Sequence, residues 1–128
     1  MRLPYYPPKH LPTMLTPFER GLIAHLIADW LFQNDLMANN KTNLRHPAAW
    51  THAAIQAATL TVALGWQTGL ILGLIHLLVD TRYPLRCWQR VFRQTVNGPA
   101  TLHISIWGDH VIHIITIVLW IAFLEYAF

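Results

Sequence analysis

The chain is poor in charge and nearly devoid of cysteine. Asp, Glu, Lys and Arg together make up only 12% of its 128 residues, about half the usual charged share of a soluble domain. A small soluble protein needs more charge than that to cover its surface, so the composition points to a membrane protein. Cys87 is the only cysteine, which excludes an intrachain disulfide and a C-x-x-C metal clip. The sequence contains no G-x-S-x-G, no H-E-x-x-H and no phosphate-cradling glycine loop. Ser105 and Cys87 stand outside any triad-like grouping, so serine or cysteine nucleophilic catalysis has no support. The formal net charge is +3 and the pI about 9.4, but the basic residues form no stripe interleaved with aromatics. No nucleic-acid partner is expected. The amino terminus has no apolar h-region and is not read as a signal peptide. With four prolines among its first twelve residues, residues 1–15 read as an extended arm.

Apolar runs fill what remains. Hydrophobic residues are 54% of the chain, and they fall in four stretches bounded by helix starts and stops. Thr16-Pro17-Phe18-Glu19 has the form of a capping box with proline at the first helical position. The helix it opens is expected over residues 18–36, near the length that spans hydrocarbon. Pro47 opens a second helix over 47–65, rich in the alanines and threonines that let membrane helices approach. After a short turn at Trp66 to Gly69 a third runs over 68–82, and the last covers 105–126. Between these, Arg86, Arg90 and Arg93 lie opposite Leu85, Trp88, Val91 and Phe92, which predicts an amphipathic helix at the bilayer interface over 85–95. The expected architecture is all-α: one polytopic membrane domain over residues 1–128, four transmembrane helices in an up-down bundle, and the interfacial helix. The long loops would carry Lys41, Arg45, Arg82, Arg86, Arg90 and Arg93, the opposite side Arg2, Lys9 and Arg20. The positive-inside rule then makes the long-loop side cytoplasmic.

Polar residues interrupt the apolar runs with helical spacing. His25, Asp29 and Gln33 follow at i+4 steps; His52 and Gln56 lie in the next run; His76 and Asp80 share a face of the third. Asp109 and His113 do the same in the fourth, with His110 beside them. In an up-down bundle most of these groups fall within roughly 5 to 15 Å of one membrane face. Ionisable groups at that depth cost several kcal/mol each unless they pair, bind metal or face water. A purely structural Asp–His network is the plain alternative. Such contacts in membranes are worth only about 0.6 kcal/mol apiece, so six make a costly glue.

The sharper reading is a metal centre. Its ligands would come from His25, Asp29, His52, His76, Asp80, Asp109 and His113, with Gln33, Gln56 and His110 orienting them. Imidazole and carboxylate donors suit zinc, iron or manganese, and the set is large enough for two ions. A metal-activated water with a neighbouring Asp or His as base would make a hydrolase acting on a membrane-delivered substrate. The competing reading is an accessory subunit of an electron-transfer or pigment complex. There His113, with Trp120 nearby in sequence, would ligate a tetrapyrrole, although carboxylates on so many helices argue against it. Asp35 is expected at a helix end in solvent, and His10, His46 and His103 in loops or at the interface.

The order "HLIADWLFQ" with Lys41 downstream, then "WTHAAIQ", "HLLVD" and "DHVIH", resembles a bacterial family of small membrane proteins catalogued as domain of unknown function 3307. The likeness covers roughly residues 18 to 125. It implies a polytopic inner-membrane protein sharing His25, Asp29, Gln33, His52, His76, Asp80, Asp109 and His113. His110 departs from the pattern, where glutamine is expected. The H-x-x-x-D style is also similar to that of membrane-bound metal-dependent hydrolases, which raises the enzyme reading modestly.

Overall fold

Thr16 starts the first helix as its residues dictate. Its hydroxyl accepts the Glu19 N–H at 3.2 Å, and the Glu19 carboxylate accepts the Thr16 N–H at 2.6 Å. Both bonds of the capping box are therefore present, and they fix where the chain turns helical. The computed structural model describes residues 15–94 and 97–128 and contains, among these, six α-helices and no strand. They are α1 (Pro17–Trp30), α2 (Asp35–Asn40), α3 (Pro47–Leu64), α4 (Trp66–Asp80), α5 (Tyr83–Val91) and α6 (Thr101–Ala127). The expected arm over residues 1–15 falls almost wholly outside the described residues.

Four membrane-crossing helices are not what forms, and this corrects the sequence-based expectation. Among the described residues only α6, with 27 residues, is long and apolar enough to cross a bilayer. The first helix stops at Trp30 after 14 residues, about 21 Å at 1.5 Å per residue, short of a hydrocarbon core of about 30 Å. Leu31 and Phe32 continue the apolar run, but Asn34 caps a separate short helix by accepting the Met37 N–H at 2.9 Å. The fourth helix has 15 residues and is likewise short. The third has 18, but Ala, Thr, His and Gln make it too polar. The argument that placed the long loops in the cytoplasm depended on four crossings and falls with them.

The connection between α3 and α4 is tighter than the sequence suggested. Gly65, at φ 97°, ψ 158°, closes one helix and opens the next. Trp66 to Gly69, expected as a turn, form the first turn of α4. Only glycine takes that backbone conformation without a Cβ clash. The two helices then pack closely: a Cβ on Gly73 would lie 2.6 Å from the Ala57 Cβ, and one on Gly69 would lie 2.6 Å from the Thr61 nitrogen. This is the small-xxx-small contact that lets helix backbones approach.

Helix α1 packs on α3 and α6, and α4 packs on α3 and α6, so the four longer helices close into a ring. Toward the Gly65 end the ring is filled by Ala24, Leu60, Leu72 and Ile117. Their outward faces are strongly apolar, with Leu70, Leu74 and Leu78 exposed on α4 and Val111, Ile115, Val118 and Leu119 on α6. Helix α5 turns Leu85 and Gln89 inward and leaves Trp88, Val91 and Phe92 exposed, with Arg86 and Arg90 on the same short element. The other end of the ring is polar inside.

Candidate metal centre

Each helix of the ring brings a polar pair to that end. Their i, i+4 spacing stacks both members on one face. His25 and Asp29 come from α1, His52 and Gln56 from α3, His76 and Asp80 from α4, Asp109 and His113 from α6. All eight are 5% exposed or less, which makes the interior polar and the exterior apolar, the reverse of an ordinary soluble core.

Donor atoms of His52, His76 and Asp80 converge, and the Asp29 Oδ1 lies against both imidazoles. The His76 Nε2 lies 3.0 Å from the His52 Nε2 and 3.0 Å from the Asp80 Oδ2. His52 Nε2 is 3.3 Å from that same oxygen and 3.1 Å from the Asp29 Oδ1, which is 3.7 Å from His76 Nε2. For metal–ligand bonds of about 2.0–2.1 Å, the donors of a tetrahedral site stand roughly 3.3 Å apart. The edges among His52, His76 and Asp80, 3.0–3.3 Å, lie at or just below that value. A second group lies beyond Asp80, whose Oδ1 is 3.1 Å from the His113 Nε2, itself 3.8 Å from the Asp109 Oδ2. A third comprises His25, Asp29 and His76, and each of the three groups has the spacing to hold an ion.

Protons do not satisfy this arrangement. The His25 Nε2, the Asp29 Oδ2, the His52 Nδ1 and the Asp109 Oδ1 are buried without a hydrogen-bond partner, and buried polar groups are rarely left so. Burial pushes His25 down to about 3 against the opposing charge of Asp29. It likewise lowers His76 to about 4, the bond and charge of Asp80 opposing. Both rings are therefore neutral, the form that ligates metal. Burial alone would raise the Asp29 carboxyl, but the His52 hydrogen bond and the neighbouring rings and Lys41 outweigh it and hold it below the usual range. Asp80 behaves the same way, held low by His113 and His76 against its burial.

Gln56 fixes the ligand geometry. Its Nε2 donates to the Asp29 Oδ1 at 2.7 Å and to the His25 carbonyl at 3.2 Å, orienting a carboxylate as outer groups do in metal sites. Gln33 and His110 stand apart from the four converging donors. The end of α1 at Trp30 takes Gln33 off the His25–Asp29 stripe, and it lines a neighbouring cavity instead. His110 lines the same cavity and accepts the Trp30 Nε1–H at 3.0 Å. Asp35 opens α2 in solvent, His46 caps α3 by accepting the Ala48 N–H at 3.1 Å, and His103 is exposed. His10 lies outside the described residues.

In the sequence Lys41 reads as a loop cation and as the lysine of the family pattern. It is buried at the end of α2, with its Nζ 3.4 Å from the Asp80 Oδ1. The one signal for it was its place downstream of the H-x-x-x-D-x-x-x-Q run. Its ammonium stands beside the group formed by Asp80, Asp109 and His113, where a second ion would sit.

A small all-helical protein with a buried centre of histidines and aspartates is the class that fold and site define. The chain belongs to the family described as Protein of unknown function (DUF3307), which matches residues 18–127. No curated protein and no solved structure matches it.

Proposed function

We propose that this chain is a membrane-associated metalloprotein that binds one divalent transition metal, zinc, iron or manganese, through His52, His76, Asp80 and Asp29. The observation that carries the reading is the convergence of the His52, His76 and Asp80 donor atoms at 3.0–3.3 Å inside the helical ring, with the Asp29 Oδ1 3.1 Å from His52 Nε2 and 3.7 Å from His76 Nε2. Asp29 and Asp80, both held below the usual carboxylate range, set two negative charges against the single positive charge of Lys41. A bound cation offsets the excess, which is otherwise costly to bury.

Hydrolysis of a membrane-delivered substrate is the activity this chemistry favours. A bound ion would supply Lewis acidity and acidify a water toward neutral pH. Asp109, buried with a free Oδ1 at the wall of the adjoining cavity, is placed to take a proton from the attacking water. Gln56 keeps Asp29 oriented, and Lys41 holds Asp80.

Lipid contact is supported by the apolar outward faces of α4 and α6, with α6 as the helix that crosses. Trp88 and Phe92, stacked at 4.1 Å on exposed α5, suit the headgroup level. A tetrapyrrole on His113 finds less support, because its Nε2 is engaged by Asp80 and its ring stacks on His76 at 4.1 Å. Element analysis of the protein purified in mild detergent tests the proposal. One equivalent of transition metal, absent in His76→Ala, supports it. Protein that holds no metal and cannot be loaded refutes it.

A further inference from the structure

Beside the metal centre lies a cavity of about 220 Å³, several times the roughly 30 Å³ that one water takes in the liquid. Two cations reach it, Lys41 and Arg82, and two of the carboxylates, Asp29 and Asp109. Several of its polar atoms have no partner. The Asp109 Oδ1, the Arg82 Nε, the Gln33 Oε1 and the His110 Nδ1 are all buried and unpaired, and Asp109 is only 3% exposed. Among the described residues Arg82 makes no ion pair, in a cavity whose wall holds two carboxylates.

Arg82 is also held in an unusual backbone conformation. It sits at φ 59°, ψ 10°, left-handed, between the end of α4 and the start of α5. Glycine and asparagine take that conformation readily and a long side chain does not. Non-glycine residues kept there cluster at binding and active sites. The strained residue is thus the one whose guanidinium faces the cavity.

We infer that this cavity is a phosphate-binding subsite, in which Arg82 and Lys41 hold the oxygens of a phosphate group against the metal centre. This rests on the metal reading above and names the substrate class of that site. An arginine fork and a lysine point charge are the usual pair for phosphoryl oxygens, and the metal supplies a third contact that a two-oxygen carboxylate cannot share so fully. Charge makes the binding ordered. Asp29, Asp80 and Asp109 against Lys41 and Arg82 leave one net negative charge, which repels a phosphate. A divalent ion reverses it to one net positive charge. The phosphate group comes either from a soluble ester or from a lipid headgroup, and the exposed aromatics of α5, which begins one residue after Arg82, put the cavity close to headgroup depth.

The test uses the full chain in detergent, loaded with Mn²⁺ and freed of excess ion, with phosphorus-31 NMR linewidths as the readout. Inorganic phosphate should broaden strongly with the loaded protein and stay sharp with the metal-free protein, and an equal concentration of acetate should not compete. Arg82→Asn, which suits the left-handed backbone and so keeps the fold, should retain its manganese yet weaken phosphate binding at least tenfold. Arg82→Lys should restore part of it. A second arm replaces phosphate with phosphatidate in bicelles; preferential broadening there assigns the group to a lipid headgroup, and preference for inorganic phosphate assigns it to a soluble ligand. Loaded protein that leaves both phosphorus signals sharp, or Arg82→Asn that binds like wild type, overturns the inference while the metal reading stands. Failure to load manganese overturns both.

Discussion

His52 and His76 face each other across the α3–α4 interface with their Nε2 atoms 3.0 Å apart. A neutral imidazole nitrogen is either a donor or an acceptor, so a hydrogen bond uses one proton and one lone pair. Here the same two nitrogens also lie 3.0 and 3.3 Å from the Asp80 Oδ2. Several lone pairs meet at this point, an arrangement that a cation would satisfy. The close approach of the helices at Gly69 and Gly73 makes the meeting possible.

Metal should therefore stabilise the fold. A ligand that binds only the native state adds about 2.7 kcal/mol when its free concentration is a hundred times Kd. Thermal unfolding followed by circular dichroism should show a higher midpoint with added metal than with chelator. Equal midpoints would count against a native-state site.

Gln56→Ala should loosen the centre without removing a ligand. It frees Asp29 from its 2.7 Å hydrogen bond, and loss of such orienting groups costs about 10–100-fold in metal affinity. Competition with a chromophoric chelator measures this. Unchanged affinity would show that Asp29 does not need its partner.

Gly73→Leu should force α3 and α4 apart, because even a Cβ there meets Ala57 at 2.6 Å. Overpacking of this kind costs about 1–3 kcal/mol. It should weaken metal binding too, since His76 lies one turn further along α4. A denaturant melt with parallel metal titration checks both effects, and a variant with wild-type stability would contradict the packing described.

The amino-terminal cap should carry a pH dependence of its own. The Thr16 backbone and side chain hold the Glu19 carboxyl below its ordinary value. A carboxyl lowered in the folded state stabilises above its unfolded pKa, and that contribution is lost as pH falls through the lowered folded value. Acid melts of wild type and Glu19→Gln should therefore converge at low pH and separate above it. Curves that stay parallel throughout would show the cap makes no such contribution.

Much of the site was legible in the sequence because its chemistry is periodic. His76 and Asp80, Asp109 and His113, and His25 and Asp29 announce shared faces by their four-residue spacing alone. What the spacing could not convey was helix length. Leu31 and Phe32 extend the apolar run past Trp30, so a single long helix was expected, whereas Asn34 captures the Met37 N–H and starts another. That break moved Gln33 off the stripe and removed the basis for a first membrane crossing. Lys41 and Arg82 were hidden for a different reason. Cations at the ends of apolar runs look like topology signals, and only the fold reveals one buried against Asp80 and the other strained at the cavity.

The central claim is that three helices, α1, α3 and α4, converge to hold a metal ion. Its most direct test is the metal content of purified wild type, His52→Ala, His76→Ala and Asp80→Asn, measured by inductively coupled plasma mass spectrometry after loading and desalting. The account predicts one equivalent of a divalent transition metal in wild type and near none in the three variants, each still helical by circular dichroism. Wild-type protein that folds but retains no metal, or variants that retain it undiminished, would contradict it.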